Sequence, residues 1–293
     1  PAKAAIFGGQ DSSDTIEDSI QVITISSAGN ATDFGNLSAA TVKVNKGCAG
    51  NLTRSIRSGG QTTLVDSGAI DVIEFVNLNS AGNATDFGNL DQARFAGMQV
   101  SSDTRAVLGA GKTNSGGDLQ SLRYITIAST GDTTNFGNLT HTSGNSSALA
   151  SSTRGIFQIQ QAAQVDFITI ASTGNGADFG DASADAHQAA ASNGTRGIFA
   201  GGNNNNVIEY FTIASAGNAT DFGDLTVARD RLSGVGGDTK GVFMGGLSSS
   251  TDINTIDIVT ISSTGNAQDF GDLTLSLGIY NTGSAGSAHG GLV

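Results

Sequence analysis

Apolar and polar residues alternate along this chain in short bursts separated by glycine-rich turns. The clearest burst is Val207-Ile208-Glu209-Tyr210-Phe211-Thr212-Ile213-Ala214, in which Ile208, Tyr210 and Thr212 share one side and Val207, Phe211 and Ile213 the other. A β-branched and aromatic run of this length predicts a strand buried on both faces. Nothing sustains the 3.6-residue period of a helix. The bursts come in sets. The phrase Asn218-Ala219-Thr220-Asp221-Phe222-Gly223-Asp224-Leu225 has relatives centred on Phe34, Phe87, Phe136, Phe179 and Phe270. Their spacing, about 40–50 residues, matches the blade length of propeller repeats. Each set divides into four candidate strands. One follows a Thr-Arg or Thr-Lys (Arg196 to Gly202), the next is the Val207 run, the third holds Asp-Phe-Gly, and the fourth is small and apolar (Leu232 to Gly236). The Gly-Asn or Gly-Asp before each Asp-Phe-Gly reads as a hairpin signal.

Six sets of four antiparallel strands predict an all-β protein, a six-bladed β-propeller formed by residues 1–293 as one domain. Closing the ring removes exposed edges, which a solenoid would have to cap. The ends of the chain favour closure. Ala4 to Gly9 already reads as the second strand of a blade, and Leu277 to Ala285 as a first strand, so the last segment should complete the first blade. Ala288 to Val293 resembles the start of another second strand, and the path of residues 286–293 stays open.

Composition narrows the partners. Charged residues are 14% of the chain, with 26 Asp and Glu against 14 Lys and Arg, a net charge of -12. Nucleic-acid backbones need clustered cations, so no nucleic-acid partner is expected. Gly is abundant at 42 residues while Pro is 1, which suits tight turns between strands more than a disordered chain. Cys48 stands alone, which excludes an intrachain disulfide and suggests a small buried hydrophobe. No stretch approaches the roughly 18 apolar residues of a membrane-spanning helix, so no membrane insertion is expected. The first residues lack the pattern of a signal peptide.

The repeat resembles those of kelch and galactose-oxidase-like propellers. The matching features are an apolar pair followed by Gly-Gly (Phe7-Gly8-Gly9, Gly201-Gly202, Gly245-Gly246), an aromatic strand, and one aromatic in the last strand. Phenylalanine replaces the kelch tryptophan, and the first-strand arginine survives at Arg94 and Arg229. The fourth blade departs furthest, with Phe157-Gln158-Ile159-Gln160 lacking Gly-Gly and Ala182 in place of leucine. The wording Ile-Thr-Ile-Ala-Ser-Thr-Gly-Asn-Ala-Thr-Asp-Phe-Gly-Asp-Leu and its variants also resembles repeats in virion structural proteins of marine tailed phages. That resemblance implies a location in the virion, a role in tail, fibre or capsid decoration, and other virion proteins and a host-surface glycan or receptor as partners. The alternative is a secreted or cell-surface lectin-like propeller that binds glycan at repeated sites.

The most regular polar feature is a ring of cations at the start of the second strands: Lys3, Arg54, Arg105, Arg154, Arg196 and Lys240. Functionally such a ring could grip an anionic glycan or a neighbouring subunit. The structural reading, which is favoured, pairs them with acids at the start of the fourth strands: Asp33, Asp86, Asp178, Asp221 and Asp269, with Asn135 in the third blade. One intervening strand leaves a gap of roughly 10 Å, which an arginine can span. Calcium needs six to eight oxygens from a tight loop, and the repeated Asp and Asn are too dispersed for that. The six phenylalanines should form inter-blade core. His141, His187 and His289 occupy unlike repeat positions, so no metal triad is expected. Tyr124, Tyr210 and Tyr280 have no matching histidines for a copper site. No nucleophile elbow is present. No enzyme activity, cofactor or metal is therefore expected. The polar loops Asp11 to Asp18, Asn203 to Asn206 and Ser248 to Asn254 vary between repeats, as binding loops do.

Overall fold

The computed structural model describes residues 3–11, 13–25, 27–46, 49–65, 67–160, 163–183 and 187–274, together with the strand at 283–286. Cys48, Tyr280, His289 and the tail at 288–293 lie outside the described residues.

Six small antiparallel sheets form a six-bladed β-propeller. Blade one contains β1 (Lys3–Gln10), β2 (Ile16–Thr24) and β3 (Thr32–Asn36). Blade two contains β4 (Arg54–Ser58), β5 (Val72–Asn77) and β6 (Thr85–Asn89). Blade three runs β7 (Met98–Ser101), β8 (Arg105–Gly109), β9 (Ser121–Thr126) and β10 (Thr134–Asn138). Blade four runs β11 (Ala148–Ala150), β12 (Arg154–Gln158), β13 (Gln164–Thr169) and β14 (Ala177–Asp181). Blade five runs β15 (Ala189–Ser192), β16 (Arg196–Ala200), β17 (Val207–Thr212) and β18 (Thr220–Asp224). Blade six has β19 (Ser233–Gly236), β20 (Lys240–Met244), β23 (Thr255–Thr260) and β24 (Gln268–Asp272). Its connection between β20 and β23 carries a small ribbon, β21 (Leu247–Ser248) and β22 (Thr251–Asp252).

The last strand, β25 (Gly283–Gly286), pairs with β1 in the register Ala4 to Gly286 and Phe7 to Gly283. The C-terminal segment thus supplies the innermost strand of blade one, as the sequence predicts. Among the described residues the sheet of blade two holds three strands, and Gly47 and Cys48 of its inner segment lie outside them. Its inner segment makes isolated bridges instead, Val42 to Gln61, Lys46 to Met98 and Gly50 to Ser55.

The core lies between blades. Each of six apolar clusters joins two neighbouring blades, and each contains one Asp-Phe-Gly phenylalanine: Phe34, Phe87, Phe136, Phe179, Phe222 or Phe270. A bulge in every blade aims that ring. In blade one, Asp33 pairs with Gln21 and Gly35 with Ile20, so Phe34 is the extra residue. The same shift recurs in the other five blades. A bulge twists its strand and redirects a side chain. At the axis the innermost strands approach closely through small residues. Ser192 Oγ donates to the Ala150 carbonyl at 2.6 Å and Ser101 Oγ to that of Gly50 at 3.0 Å. A side chain at Gly236 would collide with the Ser192 carbonyl.

Arg94 and Arg229, expected on innermost strands, sit just before them in the inter-blade connections. Both are fully buried. Among the described residues no helix is long and apolar enough to cross a membrane.

Candidate functional site

The two faces of the ring differ in construction. One face carries the turns between first and second strands and the loops between third and fourth strands; it is called the cleft face below. The other, the loop face, carries the connections between second and third strands and those between blades.

On the cleft face the repeated phrase is a joint between blades. The sequence suggested a tight hairpin at Gly-Asn, but β17 ends at Thr212 and β18 begins at Thr220. The intervening loop instead docks on the preceding blade. Gly217 N–H donates to the Phe179 carbonyl and Ala219 N–H to that of Asp181, both at 2.7 Å. Asn218 Oδ1 then accepts from the Asp181 N–H at 3.1 Å. Asn30, Asn83, Asp132, Asn175 and Asn266 do the same with the backbone N–H of Asp272, Asn36, Asn89, Asn138 and Asp224. The glycine of Asp-Phe-Gly is required here by close approach. A Cβ at Gly180 would strike the Gly217 carbonyl, and one at Gly223 would lie 2.6 Å from the Gly265 carbonyl.

The cationic ring lies on this face, with a role other than the expected one. Arg54, Arg105, Arg154 and Arg196 stack over Phe75, Tyr124, Phe167 and Tyr210 of their own blades at 4.4, 4.4, 4.6 and 4.2 Å from the ring centroids. Their Nη1 groups donate to the carbonyls of Ile127, Ile170, Ile213 and Ile261 in the next blade, at 2.6, 3.1, 2.8 and 3.1 Å. Lys3 Nζ reaches the equivalent Leu78 carbonyl at 3.1 Å, and Lys240 Nζ the Thr260 hydroxyl at 2.8 Å. Arginine accompanies an aromatic ring in blades two to five, where its planar head can stack. Lysine accompanies Val22 and Ile258 in blades one and six, where no ring is offered.

The proposed partners Asp33, Asp86, Asp178, Asp221 and Asp269 are exposed, and make no ion pair among the described residues. Register explains the correction. Arg54 lies opposite Asn77, whereas Asp86 lies opposite Glu74, three residues further along β5. That offset adds roughly 10 Å along the strand to the roughly 10 Å across it, beyond an arginine's reach.

Between the end of the third strand and the docking loop, the cleft face forms the same polar hollow in several blades. It measures about 370 Å³ in blade one, beside Lys3, Val22, Thr24 and Asn30. In blade three it is about 220 Å³, beside Tyr124, Thr126, Ser129 and Asp132. In blades four and six it is about 140 Å³, with Ser172 and Asn175, or Ser263 and Asn266, in equivalent places. Val22 stands in place of the stacked ring in blade one, and Ile258 does so in blade six, where the hollow is smaller. Hydroxyls and amides share its lining with apolar side chains, and these polar groups suit reversible hydrogen bonding. Asn30, Asn175 and Asn266 use Oδ1 for the joint, and their Nδ2 groups have no acceptor among the described residues.

On the loop face the blades are joined through side chains that differ at each seam. One position of the third strand, Gln21, Glu74, Arg123, Asp166, Glu209 or Asp257, meets the residue that follows the leucine of the preceding blade's phrase. Thr226 N–H and Oγ1 donate to the two oxygens of Asp257 at 3.1 and 2.6 Å, and Thr140 does likewise with Asp166. Ser38 and Ser183 donate their N–H groups to Glu74 and Glu209, both at 3.0 Å. Thr274 Oγ1 donates to Gln21 at 2.7 Å, which ties blade six to blade one. Between blades two and three the polarity is reversed, with Asp91 against Arg123 at 2.7 Å. Two of these acids also hold buried arginines, Arg57 on Glu74 and Arg229 on Asp257, both at 3.0 Å. Burial presses Arg229 below its usual pKa, and Asp257 opposes that shift.

Among the described residues no group of three His, Cys, Asp or Glu could hold a metal ion. His141 and His187 lie apart: His141 accepts or donates at Thr140, while His187 is placed near the axis of the loop face. The variable loops expected from the sequence emerge on the loop face, as the Asp11–Asp14 turn, the Asn203–Asn204 turn and the β21–β22 ribbon. The sequence reading missed the Asn joint and the third-strand acids. Recurrence at one repeat position was the available signal for both. No family model matches the chain, and no curated protein matches it.

Proposed function

We propose that this chain is a non-catalytic binding and assembly module of a tailed-phage virion, in tail, fibre or capsid decoration, which presents its cleft face to a glycan-bearing host surface. The observation that carries the reading is the recurrence of one polar hollow in blades one, three, four and six. A reaction centre is assembled from unlike residues brought to one place, whereas equivalent shallow sites around a ring give avidity from weak individual contacts. The resemblance of the repeat wording to virion structural proteins supplies the location and the other virion proteins as partners. Purified particles probed with antibody against this chain test it. The chain should co-sediment with intact particles, and its absence from them would sink the virion assignment.

A second reading is a secreted or cell-surface lectin-like propeller, favoured by the Nδ2 donors and hydroxyls around the hollows. Glycan-array binding by the isolated protein, together with absence from particles, selects this reading. Turnover of a bound substrate would count against both.

A further inference from the structure

The hollows of the cleft face occupy equivalent places, but they are unequal, and that of blade one differs in kind. At about 370 Å³ it alone of the four exceeds the roughly 300 Å³ at which ligand pockets begin. It is also the one of the four that takes in the acid and the ring of its own blade's Asp-Phe-Gly phrase, Asp33 and Phe34. Ala81, on the docking loop of blade two, closes its far side. The extra room thus lies toward the seam between blades one and two.

This hollow has an apolar wall and a polar rim. Phe34 is 8% exposed, against 2% for Phe87, Phe136, Phe179 and Phe222 and 4% for Phe270. Val22 lines the hollow beside it. Asn30 accepts from the Asp272 N–H through Oδ1 at 3.2 Å, which leaves Nδ2 as a donor. Asp33 is exposed and makes no ion pair among the described residues. Thr24 adds a hydroxyl. Lys3 also lines the hollow, but its ammonium already meets the Leu78 carbonyl at 3.1 Å. One cation and one anion therefore stand in the lining, and a charged ligand would meet a like charge beside each opposite one. Pro1, Ala2 and Ser26, neighbours of the lining in the chain, lie outside the described residues.

A carboxylate acceptor, an amide donor and a hydroxyl around an apolar patch suit a ring with hydroxyls on its rim and C–H groups on its faces. We propose, resting on the reading of the cleft face as glycan-facing, that the hollow of blade one binds one neutral pyranose residue. Asp33 accepts from its hydroxyls, Asn30 Nδ2 donates to it, and its C–H face lies against Phe34 and Val22. The smaller hollows of blades three, four and six fall short of enclosing a sugar and touch only the rest of the glycan.

Two substitutions borrowed from other blades test the site. Val22→Tyr introduces the residue that blades three and five carry at the same position, Tyr124 and Tyr210, and fills the hollow. Asp33→Asn introduces the residue of blade three, Asn135, and changes an exposed side chain, so it carries the test if the first variant does not fold. The intact chain is titrated with methyl glycosides of glucose, galactose and mannose, and with glucuronate, while backbone amide shifts are followed by NMR. At least one neutral glycoside should bind saturably and more tightly than glucuronate, with shifts confined to blade one and its seam with blade two. Val22→Tyr should abolish that binding, and Asp33→Asn should weaken it by about tenfold. No saturable binding of any of the three glycosides, tighter binding of glucuronate, or unchanged binding in the folded variants overturns the proposal. Glycan-array binding separates the two levels: signal shared by wild type and the folded Val22→Tyr chain removes the blade-one site and leaves the glycan-facing reading, whereas no signal from either removes both.

Discussion

The cleft face and the loop face solve the same problem, joining one blade to the next, with different materials. On the cleft face the joint is backbone against backbone, completed by one Asn or Asp oxygen, and it is repeated around the ring. On the loop face the joint is a side-chain contact that changes at every seam: an amide at Gln21, an acid at Asp166, a buried ion pair at Asp257, a reversed pair at Asp91 and Arg123. Backbone geometry is indifferent to neighbouring sequence, so the first kind of joint can be copied. Buried charge must be balanced by its own surroundings, so the second kind is particular to its seam. The copied face offers equivalent shallow sites.

The contrast can be broken by substitution, and the largest effects belong to the loop face. Asp257→Ala should cost about 3–5 kcal/mol in urea unfolding, because Arg229 is left buried without its partner. Glu209→Ala, at the same repeat position but without an arginine beneath it, should cost about 1 kcal/mol. Equal losses would mean that the two faces are less different than they look.

Buried His187 predicts a pH dependence of stability. His187 titrates near 3 when folded and near 6.5 when unfolded. Between those values the unfolded chain binds more protons, so this group makes stability rise with pH across that window. Below about 3 both states are protonated and the full penalty applies. His187→Gln should flatten the rise measured by urea unfolding from pH 4 to 6.5, and an unchanged slope would remove His187 as its source.

Smaller effects should come from the cleft face. Gly223→Ala places a methyl against the Gly265 backbone and should cost about 1–3 kcal/mol. Asn218→Ala removes one cap and should cost about 1 kcal/mol. Arg154→Lys, which loses the planar stack on Phe167, should cost less than about 1 kcal/mol. A thermal melt resolves this ordering, and a larger loss at Arg154 than at Gly223 would contradict it.

The sequence made the cleft face legible and left the loop face dark. Six phenylalanines at one repeat position were enough to count the blades and to place their rings in the core. The same repeats misdirected the cations. The offset between Arg54 and Asp86 depends on strand register and on the bulge at the phenylalanine, and neither shows in residue identity. The approach of Lys46 to Gln188 and His187 was invisible because these residues come from different blades and ring closure alone brings them together.

The joint on the cleft face has a genetic consequence. Each repeat carries both halves of it: a glycine and a free N–H on its outermost strand, and a Gly-Asn or Gly-Asp loop to seat on the repeat before. Any copy can therefore follow any other with its contacts already satisfied on that side. Tandem duplication or unequal recombination would yield a protein whose new seam fits at once on one face and is unfinished on the other. Selection would then act on the unfinished face, where the six seams now differ.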